Sequence, residues 1–165
     1  MIPKMREWSP QDSVAGELCL KFTNAVGDRT KTRDVDWLTD WEALLEWAVA
    51  TSALKATEAQ DCRKIARRNP AASERSLQSM LNFRKVLFSV LSALAAGHAP
   101  ALEDLERLEI AVLGALRVAQ LTQKNRIYSW AIRPSKTSMK TPLARIALSA
   151  LQLMQGDDLS RLREC

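Results

Sequence analysis

Apolar residues recur at intervals of three and four positions through most of the chain, a pattern typical of amphipathic α-helices. The longest such run covers residues 69–97. Asn69 is a residue type preferred at helix N-caps, Pro70 suits the first helical position, and Gly97 favours a left-handed stop. The sequence therefore predicts one long helix with both ends defined, and we expect the other elements to pack around it.

Five further segments repeat this periodicity, which predicts a mainly α fold, a single helical domain of about six helices. The segments cover residues 14–27, 39–52, 57–68, 100–116 and 141–156. Thr39 with Glu42, and Thr57 with Gln60, have the spacing of a capping box, in which a threonine begins the helix and the later side chain returns to its backbone. We expect these two threonines to begin their helices.

Between the last two helices the period changes from that of a helix to that of a strand. Tyr128, Trp130 and Ile132 alternate with smaller or polar residues, and a polar turn separates them from an upstream segment that begins near Val118. Alternation of this kind predicts one small β-hairpin.

The chain length and composition suit one domain, because 165 residues with 47% hydrophobic content can form a substantial core. We expect this domain to span residues 1–157. The sequence contains no long uncharged apolar segment and no N-terminal pattern of a secretory signal, so we expect a cytoplasmic protein without a membrane partner.

The net charge of +5 is compatible with binding to nucleic acid, but its distribution is diffuse. The basic residues are spread over a loop at 28–36, one side of the helix at 57–68, and the segment 134–140. We therefore expect only weak binding to DNA, without sequence preference.

Groups for catalysis and for metal binding are sparse. His98 is the single histidine, and the chain has neither a phosphate-binding loop nor a dinucleotide-binding glycine motif. We therefore expect that the protein is not an enzyme. Cys19 and Cys62 fall on apolar helix positions, which leaves Cys165 without companion ligands for a tetrahedral zinc site. We expect no cofactor in this chain.

Arg84 interrupts the apolar stripe of the long helix, and a buried guanidinium requires an anionic partner, a ligand or a path to water. One interpretation is an arginine at the edge of the stripe or in a structural ion pair. The other is an arginine that lines a pocket. Glu109 is a candidate partner, because an antiparallel packing of its helix against the long helix would place the two residues at similar heights.

Three sequence segments resemble the ABATE domain of stress-induced transcription regulators, a family of bacteria. They are LCLKFTNAV near the N-terminus, LTDWEALLEWA after it, and NFRKVLFSVLSALAAG, which contains Arg84. The closing DDLSRLREC resembles the junction to a CGNR-type zinc finger, which implies that residues 158–165 begin such a finger. Cys165 would then be its first zinc ligand, and zinc is expected in a full-length homologue. Lys21 departs from the family, which commonly has an acidic residue there.

The resemblance implies a ligand-sensing or partner-binding module, with DNA bound only through the zinc finger that this chain lacks. Asn24 and Arg84 match family positions that we expect to line a pocket, and we add Glu109 and Trp130 as candidate ligand-binding residues. An amide beside a guanidinium suits a small carboxylate or phosphate, so we expect a small anionic ligand. The alternative is a structural helical module that forms a homodimer and binds no ligand.

Overall fold

The structure is a computed structural model and describes residues 17–26, 36–156 and 162. In this part of the chain six α-helices and one β-hairpin confirm the predicted mainly α fold. The helices are α1 (Leu18–Thr23), α2 (Trp41–Ala50), α3 (Ala56–Arg68), α4 (Pro70–Ala95), α5 (Leu102–Leu116) and α6 (Thr141–Gln155). The strands are β1 (Ala119–Lys124) and β2 (Ile127–Ile132), and a short 3-10 helix, Pro134–Lys136, follows them.

The long helix α4 is central, because it packs against each of the other five helices. Its beginning agrees with the prediction: the side chain of Asn69 accepts a hydrogen bond from the backbone N–H of Ala72 at 3.1 Å, and Pro70 is the first helical residue. Its end agrees as well, since Gly97 has φ +75° and the N–H of His98 reaches back to the carbonyl of Ala93 at 2.8 Å.

The predicted starts of α2 and α3 are wrong by one or two residues. Asp40, rather than Thr39, caps α2 by accepting a hydrogen bond from the N–H of Ala43 at 2.8 Å. Helix α3 begins at Ala56, so Thr57 lies inside its first turn. The carboxylate of Glu58 there accepts from the N–H of Lys55 at 2.8 Å. A carboxylate next to each threonine therefore satisfies the free backbone donors.

The core lies mainly between α4, α6 and the helices on either side of them. Helix α6 packs against α1, α4, α5 and β2, and its residues Ile146, Ala147 and Ala150 are fully buried. Phe22 of α1 and Trp47 of α2 meet inside with their ring centroids 5.3 Å apart. Helix α1 is thus held in place by contacts with α2, α4 and α6.

The hairpin turns at Asn125 and Arg126, whose φ angles of 51° and 64° match the type of two-residue turn that suits twisted strands. Leu121 pairs with Trp130 across the strands. Because paired residues share a face, these two side chains and Tyr128 project from one side of the hairpin, where all three are exposed. Only the base of the hairpin, at Ile132, reaches the core.

The apolar periodicity of α5 predicts that six residues face inward, and the structure confirms four of them: Leu105, Leu108, Val112 and Leu116 are buried or pack against the core. The other two, Leu102 and Leu113, are exposed. Ala115 is buried too, whereas Ile110 is exposed and lies with Leu102 and Leu113 along one outer side. Glu109 is exposed as well.

Among the described helices, none has the length and apolar character needed to cross a membrane. Several predictions concern residues that the structure does not describe: the segment 1–16, most of the basic loop at 28–36, and Cys165 with the junction at 158–165, except Leu162.

Candidate functional site

Arg84 is buried within the domain, and its partner is Asp36. The side chain is 5% exposed, and its two terminal nitrogens donate separately to the two carboxylate oxygens of Asp36, with the Nη1–Oδ1 distance 3.0 Å. Nη1 also donates to the backbone carbonyl of Ala25 at 3.0 Å. The predicted pairing with Glu109 is therefore wrong, because Glu109 lies on the exposed side of α5.

The Arg84–Asp36 pair joins three separate parts of the chain. Asp36 forms an isolated antiparallel bridge with Val26, and its Oδ1 accepts the N–H of Leu38 at 2.9 Å. The guanidinium also lies 6.0 Å from the centroid of the Phe22 ring. This arginine thus ties the segment after α1 and the segment before α2 to the middle of α4, and the structural ion pair accounts for its burial.

The four candidate ligand-binding residues do not converge on one pocket. Asn24 follows α1 directly before Ala25 and is exposed, Arg84 is engaged by Asp36, and Glu109 faces away from α4. Trp130 is on the hairpin and lines a separate groove. The role of these four residues in ligand binding stays a prediction. The geometry favours Trp130 over the other three, because it lines a groove.

A second buried ion pair, formed by Glu58 of α3 and Arg145 of α6, lies next to the groove that Trp130 lines. Both distances between their terminal atoms, Nη1–Oε2 and Nη2–Oε1, are 2.7 Å. The guanidinium also donates to the carbonyls of Ala53 at 2.7 Å and Ile132 at 3.4 Å, and the hydroxyl of Thr137 donates to Glu58 at 3.1 Å. This network fixes α3, α6 and the end of β2 relative to one another.

The sequence interpretation missed this pair, although one signal was present. Glu58 precedes Cys62 by four positions, which places its carboxylate on the buried side of α3. The hydrogen bonds from Arg145 lower the pKa of Glu58 from 4.5 to about 2, against the opposing effect of burial. The pair is therefore ionised at neutral pH, and the charge of Arg145 is already balanced.

A groove of about 320 Å³ opens between α1, β2 and α6. Leu18, Ile132 and Leu148 give it an apolar floor, and Glu17, Arg145, Ser149 and Gln152 supply polar groups. Trp130 forms one wall and is 49% exposed. The volume lies at the lower end of the range of about 300–1,000 Å³ found for small-molecule sites.

The polar side of the groove is held in place by hydrogen bonds. The hydroxyl of Ser149 accepts the backbone N–H of Cys19 at 3.1 Å and donates to Oε2 of Glu17 at 3.4 Å. Glu17 thus presents a carboxylate beside an aromatic ring, whereas the nearby guanidinium is neutralised by Glu58. This combination can bind a flat apolar group together with a hydrogen-bond donor or a cation.

Metal binding and nucleophilic chemistry find no support in the part of the chain that the structure describes. No group of three or more histidine, cysteine, aspartate or glutamate side chains is arranged there to hold a metal ion. Cys19 and Cys62 are fully buried, and burial raises the pKa of each thiol to about 11. At neutral pH both thiols are protonated and unreactive.

Comparison with known proteins gives one family. The model of the family ABATE, described as "Putative stress-induced transcription regulator", matches residues 16–157, a range that includes every helix and strand described above. No curated protein and no solved structure matches the chain.

Proposed function

Because the chain belongs to the ABATE family, whose description is that of stress-induced transcription regulators, we propose that it is the ligand-sensing module of such a regulator. Its binding site is the groove beside Trp130. The module has no catalytic task, and DNA recognition belongs to a CGNR-type zinc finger for which Cys165 supplies a ligand.

The half-exposed indole of Trp130 in a preformed groove is the observation that carries this proposal. Exposing a large aromatic side chain to water costs more free energy than exposing a small one. A half-exposed tryptophan above an apolar floor offers a surface for stacking. The polar groups nearby come from Glu17, the residue before α1, and from α6, and α1 and α6 are themselves joined through Ser149. A ligand here would contact α1, α6 and the hairpin together, so it would favour one arrangement of these elements.

The groove favours a small molecule with a flat apolar part and a donor or positive charge directed at Glu17. The carboxylate of Glu17 would repel the small anion that the sequence led us to expect. The guanidinium of the neighbouring Arg145 is already paired with the carboxylate of Glu58. A test panel should therefore contain aromatic amines and neutral aromatic compounds beside small carboxylates and phosphates.

Thermal unfolding in the presence of this panel tests the proposal. A ligand at about 100 times its Kd adds about 2.7 kcal/mol to the free energy of unfolding, which should raise Tm by about 5–10 °C for a chain of this size. Trp130→Ala should abolish the rise. Tyr128→Ala is the matched control, because Tyr128 projects from the same hairpin face and lies outside the groove. Equal losses in the two variants, or no stabilising compound, would count against the groove.

The second candidate is a homodimerisation module, and one observation favours it. Leu102, Ile110 and Leu113 form an exposed apolar stripe on α5. Apolar stripes on helices are commonly covered by a partner. Sedimentation of the chain over a range of concentrations, compared with the Ile110→Gln variant, tests this: a dimer that the substitution dissociates, with no ligand effect in the thermal assay, would favour the structural role.

A further inference from the structure

A second cavity, of about 210 Å³, lies between the end of α5, the start of β1 and the segment that follows β2. Arg117, Arg133 and Lys136 line it together with Gln120, Val118 and Ala119. It shares no lining residue with the groove beside Trp130. Gln120 pairs with Ala131 in the hairpin, so it projects from the face opposite to that of Trp130.

The three cations around this cavity are not balanced by acids. No carboxylate lines it, and among the described residues none of the three forms an ion pair. Arg63, Arg84, Arg107 and Arg145, by contrast, each contact a glutamate or an aspartate. The C-terminus of α5 attracts a positive charge, which explains Arg117 but not the other two residues. All three side chains are exposed, so water screens their mutual repulsion, and each is free to turn toward an anion that enters the cavity.

Gln120 contributes a side-chain amide to the lining of the cavity. Its side-chain Oε1 is shielded from solvent and has no hydrogen-bond partner among the described residues. A buried polar atom without a partner is costly, so such atoms are rare. The same amide carries two N–H groups, which are donors suited to an anion.

We propose that this cavity binds a phosphate group. Phosphate offers several acceptor oxygens to two guanidinium groups, one ammonium and one amide, and charge-assisted bonds of this kind are the strong ones. A space of about 210 Å³ is smaller than the usual site for a drug-sized molecule, which favours a single phosphoryl group over a whole cofactor. The group comes either from a small phosphorylated compound or from the backbone of DNA.

Two probes distinguish these sources. Isothermal titration with sodium phosphate reports the small compound, and fluorescence anisotropy with a labelled DNA duplex at the same ionic strength reports the backbone. Binding of inorganic phosphate alone assigns the site to a small phosphate, and binding of the duplex alone assigns it to a phosphodiester. If neither probe binds, the proposal is wrong.

The double variant Arg133→Gln, Lys136→Gln should weaken the affinity for whichever probe binds the unmodified chain by about tenfold or more, because it removes two charge-assisted contacts. The matched control is Arg67→Gln, Arg68→Gln on α3, which removes the same charge from exposed positions that do not line the cavity and should change affinity by about twofold or less. For DNA, the slope of log K against log salt should fall by about 2 in the first variant only. Equal effects in both variants would indicate diffuse attraction and overturn the proposal.

Gln120→Glu provides a second test that leaves every cation in place. The substitution changes the shape little and adds a negative charge to the lining of the cavity, so it should abolish phosphate binding. Thermal melts of each variant confirm that it is folded before affinity is measured. A Gln120→Glu protein that is folded and binds the probe as tightly as the unmodified chain would contradict the assignment.

Discussion

Glu58 of α3 and Arg145 of α6 form two parallel hydrogen bonds of 2.7 Å inside the domain, although 87 positions separate them in the chain. The glutamate is 3% exposed and also accepts hydrogen bonds from Lys55 and Thr137. Such a carboxylate is stable only as an anion, because every partner donates to it. The stability of the domain should therefore depend on pH below the neutral range.

The first prediction concerns acid unfolding. The pKa of Glu58 falls from 4.5 when unfolded to about 2 when folded, which corresponds to about 3 kcal/mol in the free energy of unfolding. Because the folded pKa is lowered, this contribution is fully present above about pH 5 and is lost as the pH falls toward 2. Urea unfolding of the unmodified chain and of Glu58→Gln at several pH values measures it.

The stability difference between these two proteins should shrink by about 3 kcal/mol from pH 6 to pH 2. Asp61→Asn on the same helix is the control, since the Asp61–Lys64 pair is exposed and should contribute little. A difference that does not vary with pH would show that the Glu58 carboxylate is not held as an anion.

The second prediction concerns the partner of Arg84. Asp36→Asn keeps the oxygen that binds the N–H of Leu38 but removes the charge opposite the guanidinium. We expect a loss of about 1–3 kcal/mol, less than for a fully buried pair, because the Asp36 side chain is 41% exposed. Glu109→Gln makes the same chemical change at an exposed position and should stay within about 0.5 kcal/mol. Chemical denaturation measures both, and equal losses would speak against the Asp36 assignment.

The third prediction uses two glycines that should respond in opposite directions to alanine. Gly97 has φ +75°, so Gly97→Ala should destabilise the domain by about 1–2 kcal/mol. Gly114 lies within α5, and a Cβ there would meet nothing within 4 Å, so Gly114→Ala should stabilise by about 0.5–1 kcal/mol. Thermal or urea unfolding checks the signs. A gain in stability at position 97 would mean that α4 does not end in a left-handed residue.

The fourth prediction concerns thiol reactivity. In a Cys165→Ser variant only Cys19 and Cys62 remain, and burial raises the pKa of both to about 11. At pH 8 roughly one thiol in a thousand is then ionised, so both should react with a disulfide reagent only as fast as the domain opens. Adding urea should accelerate the reaction in parallel with unfolding. Rapid labelling of the folded variant would indicate that a cysteine is accessible.

Local signals were sufficient where one residue type determines the backbone conformation. Both ends of α4 were predicted correctly, because Asn69, Pro70 and Gly97 each act on the neighbouring peptide groups. At the starts of α2 and α3 a threonine and a nearby carboxylate can each accept from the same backbone N–H groups, so the sequence did not determine which of the two would cap the helix. There the acidic residues Asp40 and Glu58 prevailed.

The ion pairs could not be predicted from one sequence, because their members are far apart in the chain. Arg84 was recognised as a buried charge that needs a partner, but Asp36 lies 48 positions earlier in a segment without apolar periodicity. Glu109 was a candidate because the predicted packing places it at a similar height to Arg84 and because the apolar stripe predicted for α5, which included Leu102 and Leu113, has its centre close to Glu109. The structure exposes both leucines, which moves Glu109 away from α4 as well.

The contact between α1 and α6 has a consequence for synthesis of the protein. The N–H of Cys19 meets the hydroxyl of Ser149 across 130 positions, and Phe22 is fully buried only in the finished domain. At a translation rate of about 5–20 residues per second, roughly 7–26 s pass between the appearance of these two surfaces. During that interval the apolar side of α1 is exposed on the nascent chain, because α6 has not yet been synthesised. The nascent chain therefore offers chaperones a binding site that the mature domain no longer has.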